Sequence, residues 1–319
     1  MTMSTQLLTP DQIEIAARFL LDGQIVAFPT ETVYGLGAPI FHPESIAKIY
    51  QIKKRPADNP LIAHISNLEQ LKSIAIDIPQ EVEQLAAAFW PGPLTIVCKR
   101  HPSVPAIVSA GLDTIAIRMP NHPVALALIE RVGEPLVAPS ANLSGKPSPT
   151  VAAHVLEDLA NSIAAVIDGG SSNIGIESTV LNLLGKQPVI LRPGAITEQA
   201  LQEVLKRPVV FYSCAAQEGA QLCSPGMKYR HYAPTAPLKL FFESEKLSAY
   251  LTEQKEKVLL LANGITLPID CAHFPLCSKT LYRNLRYADA EHFEQVLAFC
   301  DEHILKDRAL MDRLTRAST

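Results

Sequence analysis

The polar residues that could do chemistry stand in short clusters beside apolar runs. The densest lies between Phe28 and His64. It holds Thr30, Glu31, Thr32 and Tyr34, then Lys53-Lys54-Arg55, then the turn Pro56-Ala57-Asp58-Asn59-Pro60. Adjacent cations at a helix end read in two ways: a solvated face that complements the helix dipole, or side chains aimed at an anion. Pro56 biases Arg55 towards an extended backbone, and so constrained a turn favours aim. Arg118 sits inside the apolar run TIAIRMP. It is either a surface residue of an edge strand or a fixed guanidinium that grips a carboxylate or phosphate through two parallel hydrogen bonds. Pro139-Ser140-Ala141-Asn142, continued by Ser144-Gly145 and Ser148-Pro149, is either a plain turn or a set of hydroxyls and backbone N–H groups suited to phosphate oxygens. Glu177-Ser178-Thr179 and Leu191-Arg192-Pro193-Gly194 repeat a polar cluster at a strand end, where α/β sites form. His64, ending the run LIAH, reads as a core histidine or as a ligand.

Other chemistries lack their marks. There is no nucleophile elbow, no His-Glu-x-x-His, no GxGxxG after the first strand and no GxxxxGK[ST] loop. Cations and hydroxyls at several strand ends point instead to positioning and charge stabilisation around a polyanion. Charge-assisted hydrogen bonds contribute about 1.5–3 kcal/mol each. A few of them would hold a nucleotide at micromolar strength, which needs about 8 kcal/mol after binding costs.

These residues need elements to hold them. Thr9-Pro10-Asp11-Gln12 carries helix-start signals, and Ile13, Ala16, Ala17 and Leu20 repeat at helical spacing up to Gly23. Further helices are expected over 43–52, after Asn67, over 80–89, over 123–132, from a Thr150 cap to about Ala160, and over 197–206. Strands are expected over 25–28, 61–65, 94–99, 114–119, 136–138, 164–168, 178–184 and 188–192. In the 114–119 strand, Ile115, Ile117 and Met119 point one way and Ala116 and Arg118 the other. The interleaving predicts an α/β layer architecture with a mixed sheet. From Pro208 the texture changes: a polar stretch leads to SPGMKYRHYAPTAP, too rich in proline and tyrosine for an idle linker. Alternation restarts at Leu238: strands over 238–242, 257–262 and 295–299, helices over 245–255 and 279–290, and one last helix to about Arg316. The expected organisation is a main domain over 1–207, a linker over 208–237 and a small α/β domain over 238–319.

Composition narrows the partners. The chain has 319 residues, 48% hydrophobic, enough for a sizeable core. A net charge of −4 with no basic tail leaves any cationic site local and argues against non-specific nucleic-acid binding. No run of eighteen apolar residues is present, and the N-terminus lacks a signal-peptide pattern, so no membrane association is expected. The cysteines at 98, 214, 223, 271, 277 and 300 form no CxxC pair, so they read as reduced thiols of a cytoplasmic protein. The 25 prolines cluster beside the polar motifs, as stiff loops around a site would.

Taken in order, Phe28–Gly37, Lys53–Leu61, Trp90-Pro91-Gly92-Pro93-Leu94-Thr95, Gly111–Thr114 with Arg118-Met119-Pro120, Ala138–Asn142, Glu177-Ser178-Thr179 and Leu191–Gly194 closely resemble the YrdC-domain threonylcarbamoyl-AMP synthases. Ser224–Pro234 resembles the linker of their long, two-domain form; the C-terminal domain matches more weakly, chiefly at Ala309–Leu314. The resemblance implies a twisted mixed α/β sheet with a concave face, plus a small C-terminal α/β domain. It implies that L-threonine, bicarbonate and ATP, with Mg2+, give L-threonylcarbamoyl-AMP and pyrophosphate. The product would go to a separate transferase complex that modifies the adenosine beside the tRNA anticodon, with no stable tRNA binding here. By motif position, Thr32, His64, Arg118, Ala138 and Ser178 would contact threonine. Arg55, Asn59, Thr114, Ser140, Ser148, Arg192 and Tyr232 would contact ATP, with Lys53 as a further phosphate cation. The linker around Tyr232 would close as a lid. Two rivals are weaker. An RNA-binding module conflicts with the net charge of −4 and the 6% aromatic content. A larger carbamoyl-transfer enzyme sharing this domain would bring CxxC pairs and added segments that this chain lacks.

Overall fold

A computed structural model describes residues 4–212, 232–265 and 271–318. The chain divides into two compact units: Met1–Ser144 with Pro149–Lys228, and Gly145–Ser148 with Tyr229–Thr319.

The first unit runs β1 (Gln6–Leu8), α1 (Ile13–Leu21), β2 (Val26–Phe28), β3 (Gly35–Pro39), α2 (Pro43–Lys53), β4 (Ile62–His64), α3 (Leu68–Ile74), β5 (Ala75–Ile76), α4 (Glu81–Phe89), β6 (Leu94–Arg100), β7 (Thr114–Arg118), α5 (Pro123–Val132), β8 (Leu136–Val137), α6 (Ala152–Leu159), β9 (Ala165–Ile167), β10 (Thr179–Asn182), β11 (Val189–Arg192), α7 (Glu198–Leu205) and β12 (Val210–Phe211). The strands form one sheet in the order β1-β9-β2-β3-β8-β4-β7-β6-β10-β11-β12, with β5 beside β6. It is mixed: β4 and β7 run parallel, as do β6 and β10, whereas β6–β7 and β10–β11 are antiparallel.

Local chemistry fixes the helix starts. Gln12 Oε1 accepts from the Thr9 backbone N–H at 2.9 Å, and Asn67 Oδ1 from Gln70 N at 3.0 Å. The α6 start differs from expectation: Val151, not Thr150, is its N-cap, and Thr150 N donates instead to His154 Nδ1. Strand β3 was not announced by its sequence, GLGAP. Its glycines answer to packing, since a Cβ on Gly37 would lie 2.8 Å from the Phe28 ring. Pairing with β2 and β8 supplies what propensity does not.

A large cluster that includes Leu36, Ile46, Ile49, Leu94, Ile115 and Ile117 forms the main core. Phe28, Val26, Leu20 and Leu128 pack in another, with α1 against α5. Ala116 belongs to neither. With Ile62, Val97, Val180, Val189 and Leu191 it forms a thin apolar patch. By strand alternation Arg118 shares the face of Ala116.

The second unit holds β13 (Leu238–Phe241), α8 (Ser244–Glu253), β14 (Val258–Leu261), β15 (Ala272–Phe274), α9 (Leu281–Ala290), β16 (Gln295–Phe299), α10 (Glu302–Lys306) and α11 (Arg308–Ala317). Its sheet is parallel in the order β13-β16-β14-β15. The expected single last helix is two, because the Asp307 carboxylate caps a fresh start by accepting from Leu310 N at 2.9 Å. Among the described residues no helix is long and apolar enough to cross a membrane.

Candidate active site

Loop 29–34, between β2 and β3, is locked from two sides. Inside it, Thr30 Oγ1 donates to Val33 O at 2.6 Å and faces Thr32 Oγ1 at 2.9 Å. From outside, Ile174 N donates to Glu31 O, Gly175 N to Thr32 O, and Ser172 Oγ to Thr30 O. Glu31 and Thr32 therefore sit on a fixed backbone, 6% and 1% exposed.

Strand β7 brings Arg118 to them. Its Nη1 donates to Thr32 Oγ1 at 2.8 Å and its Nε to Gly92 O at 3.2 Å, while Nη2 lies 2.6 Å from Glu31 Oε1. A hydroxyl has one proton. Since Thr30 spends its own on Val33 O, Thr32 must donate to Thr30, giving a relay from Arg118 through Thr32 and Thr30 to a backbone carbonyl. Arg118 is 4% exposed, so the edge-strand alternative falls away.

His64 pairs in register with Arg118 on the parallel strand β4. Burial, then the nearby Arg118 charge, lowers its pKa to about 3, so it is a neutral imidazole. Ala138 follows β8, its N–H donating to Ile62 O at 3.0 Å. Ser178 precedes β10. Its Oγ lies 2.7 Å from Thr95 Oγ1 and accepts from Arg192 Nη2 at 3.2 Å. Neighbouring strands β4, β7, β6 and β10 thus gather His64, Arg118 and Ser178 along one stretch of the sheet, and the β2–β3 loop brings Thr32 to Arg118 there.

Of the cationic triplet, Lys53 is not a solvated helix end. It is 1% exposed, and Nζ donates to Ser140 O and Asn142 O at 2.5 Å each. This holds the Pro139–Asn142 turn on the end of α2. Arg55 donates to Asn59 O and Pro60 O, which folds the 55–60 turn around its guanidinium. Ser140 Oγ donates to Asn142 Oδ1 at 2.5 Å. Arg192, at the end of β11, is 6% exposed and bonds Ser178 twice, through O at 3.1 Å and Oγ at 3.2 Å. The threonine-side and nucleotide-side assignments therefore meet at Ser178.

Thr114 stands apart from this cluster. It opens β7, four residues before Arg118, roughly 13 Å away at strand rise. Ser148 and Tyr232 belong to the second unit. There Ser148 is fully buried, and Tyr232 stacks on Tyr282 at 5.3 Å with the Arg313 guanidinium 5.5 Å from its ring. The rest of the expected lid, residues 213–231, lies outside the described residues.

Sequence reasoning missed Glu31, Thr95 and Asn142 as members of the site. Each lies inside a motif that was noticed. The signal for Thr95 is strand register, which pairs β6 with the distant β10; Glu31 sits in the β2–β3 loop, where only its place beside Thr32 could have pointed to it.

Comparison with known proteins shows the family. A protein family described as "Telomere recombination" matches residues 18–194, and one described as "Threonylcarbamoyl-AMP synthase, C-terminal domain" matches 196–319. A threonylcarbamoyl-AMP synthase of Pyrococcus abyssi is 42% identical over 96% of this chain and 94% of its own. One from Schizosaccharomyces pombe is 38% identical over 98% of this chain and 89% of its own. The crystal structure of P. abyssi Sua5 complexed with L-threonine superposes with a TM-score of 0.90 at 41% identity, covering 98% of both chains. Escherichia coli YciO, 24% identical with a TM-score of 0.54 over 60% of this chain and 96% of its own, shares the fold of the first part. The chain belongs to the threonylcarbamoyl-AMP synthases, in the two-domain form that joins a YrdC-type domain to a Sua5-type C-terminal domain.

Proposed function

We infer that this chain forms L-threonylcarbamoyl-AMP and pyrophosphate from L-threonine, bicarbonate and ATP, with residues 1–207 as the catalytic domain. The observation that carries the assignment of roles is the buried guanidinium of Arg118, set among Thr32, Glu31 and the neutral His64. The relative crystallised with L-threonine supports the choice of amino acid.

In this reading Arg118 takes the threonine carboxylate, with Thr32, His64, Ala138 and Ser178 around the rest of the amino acid. The neutral imidazole of His64 adds no charge to repel the substrate amine. The amine adds to carbon dioxide derived from bicarbonate. A carbamate oxygen then attacks the α-phosphorus, and pyrophosphate leaves. Lys53, Arg55 and Arg192 spread positive charge over the triphosphate, and Asn59, Thr114, Ser140, Ser148 and Tyr232 hold the rest of the nucleotide. No protein nucleophile is required. Mg2+ arrives with ATP as part of the co-substrate. Among the described residues no three acidic or histidine side chains converge, and Mg2+ keeps waters and phosphate oxygens as ligands. A site built from lysine and arginine suits the phosphates that carry the ion.

The product would pass to a separate transferase complex for threonylcarbamoyladenosine formation in tRNA. Cytoplasm, where ATP and tRNA are found together, is the compartment this reading assigns. The test is pyrophosphate release from ATP by the whole chain. Release that requires both L-threonine and bicarbonate is expected; release indifferent to threonine would sink the reading.

A further inference from the structure

Glu31 is more than a counter-ion. Its carboxylate is 6% exposed, and neither oxygen meets a hydrogen-bond donor among the described residues. Arg118 Nη2, at 2.6 Å from Oε1, makes an ion-pair contact outside hydrogen-bond angles and is itself without a hydrogen-bond acceptor. A buried carboxylate kept for structure is normally bonded on both oxygens, because desolvation is otherwise uncompensated. Arg118 does not need Glu31 for its orientation, since Thr32 and Gly92 already hold Nη1 and Nε. Glu31 and Arg118 together present a negative and a positive group, each with unspent hydrogen-bonding capacity, on rigid backbone.

The complement of that pair is a zwitterion. In an α-amino acid the ammonium nitrogen and carboxyl carbon are roughly 2.5 Å apart, from standard bond lengths and angle. That distance is short enough for one molecule to meet both residues of a pair whose nearest atoms, Arg118 Nη2 and Glu31 Oε1, are 2.6 Å apart. Once the substrate carboxylate faces Arg118, the ammonium falls towards Glu31.

Resting on the threonine reading above, we propose that Glu31 receives the α-ammonium of threonine and takes one proton from it, freeing the amine that adds to carbon dioxide. The step balances. The N–H bond breaks, its proton passes to a Glu31 oxygen, and the lone pair forms the new N–C bond. The second ammonium-derived proton leaves as the carbamate forms, balancing the proton taken up when bicarbonate yields carbon dioxide and water. The other groups that face Glu31 do not compete. His64, on β4, is neutral, and His122, just before α5, has its pKa lowered by burial against the opposing pull of Glu31. Thr30 and Thr32 do not titrate in this range.

The test separates carbamate formation from adenylyl transfer. Glu31→Gln keeps the shape of the side chain and cannot take the proton. Threonine-dependent pyrophosphate formation by this variant should fall about 100-fold at pH 7. It should climb back towards the wild-type rate by pH 9.5, as solvent deprotonates the ammonium. The reverse reaction, ATP formation from threonylcarbamoyl-AMP and pyrophosphate, starts beyond the proton transfer and should fall far less. Equal losses in both directions, or a pH profile parallel to wild type, would overturn the proposal and leave Glu31 a structural counter-ion. Should Glu31→Gln not fold, Glu31→Asp keeps a proton acceptor and should retain the wild-type pH profile with a reduced forward rate. A changed profile there would overturn it equally. A wild-type chain that ignores threonine altogether would instead remove the reading beneath it.

Discussion

Burial and the Arg118 guanidinium keep the His64 imidazole neutral, with its pKa lowered to about 3. The sign of the stability effect follows. The unfolded chain, with an ordinary histidine near 6.5, binds this proton more readily than the folded one. Stability from this group is therefore complete above about pH 6.5 and is lost as pH falls towards the folded value. Between pH 7 and 5 the loss is about 2 kcal/mol. His64→Gln should shrink the drop in urea midpoint between those two pH values, measured side by side with wild type. An unchanged drop would mean the imidazole is not held neutral. At this scale the sequence offered candidate residues and not how they were held. The KKR triplet left a solvated face and aimed side chains both open; α2 buries Lys53 under the Pro139–Asn142 turn, and nothing in the triplet's composition distinguishes it from Lys54, which is exposed.

Elements carried by hydrophobic periodicity were legible: α2, α5, β6 and β7 stand where the pattern puts them. Short strands whose partners decide them were not. GLGAP became β3 because Phe28 needed flat, Cβ-free backbone beside it. Two-residue strands such as β5 and β12 are too brief for alternation to register. The strand ends that build the site were legible as polar clusters, but their meeting was not, since it depends on a sheet order far from chain order. Gly194 marks one such meeting. A Cβ there would run into Thr179 N, Ser178 C and Glu177 O, so the backbone after Arg192 lies directly on the segment that presents Ser178. Gly194→Ala should cost about 1–3 kcal/mol by overpacking. It should also reduce threonine-dependent pyrophosphate release beyond what the fraction unfolded explains. Thermal unfolding and the assay, run on the same preparation, check it; activity tracking the folded fraction would limit Gly194 to packing.

At the scale of the whole molecule, the second unit is discontinuous in sequence. Gly145–Ser148 belongs to it, and Arg286, on α9, donates to Pro147 O through Nε at 3.2 Å and Nη2 at 2.7 Å. Ala233 N donates to Gly145 O at 2.9 Å. Ser148 and Tyr232, both assigned to the nucleotide in the reading above, thus share a unit whose order depends on α9 and α11. Arg286→Met should raise the KM for ATP severalfold with little change in kcat and lower stability by about 1–3 kcal/mol, since it strands a buried carbonyl. Steady-state kinetics with ATP varied would decide, an unaltered KM counting against the assignment of Ser148.

The bond from Arg286 to Pro147 spans 139 residues of chain. Ribosomes add roughly 5–20 residues per second. During synthesis the loop therefore emerges roughly 7–28 s before the arginine that will hold it. For that interval a growing chain has most of its first sheet while the Gly145–Ser148 loop is not yet fastened. Completion of translation is in this sense a switch. A chain broken off before α9 would be barred from finishing the loop, however well its first two hundred residues had folded.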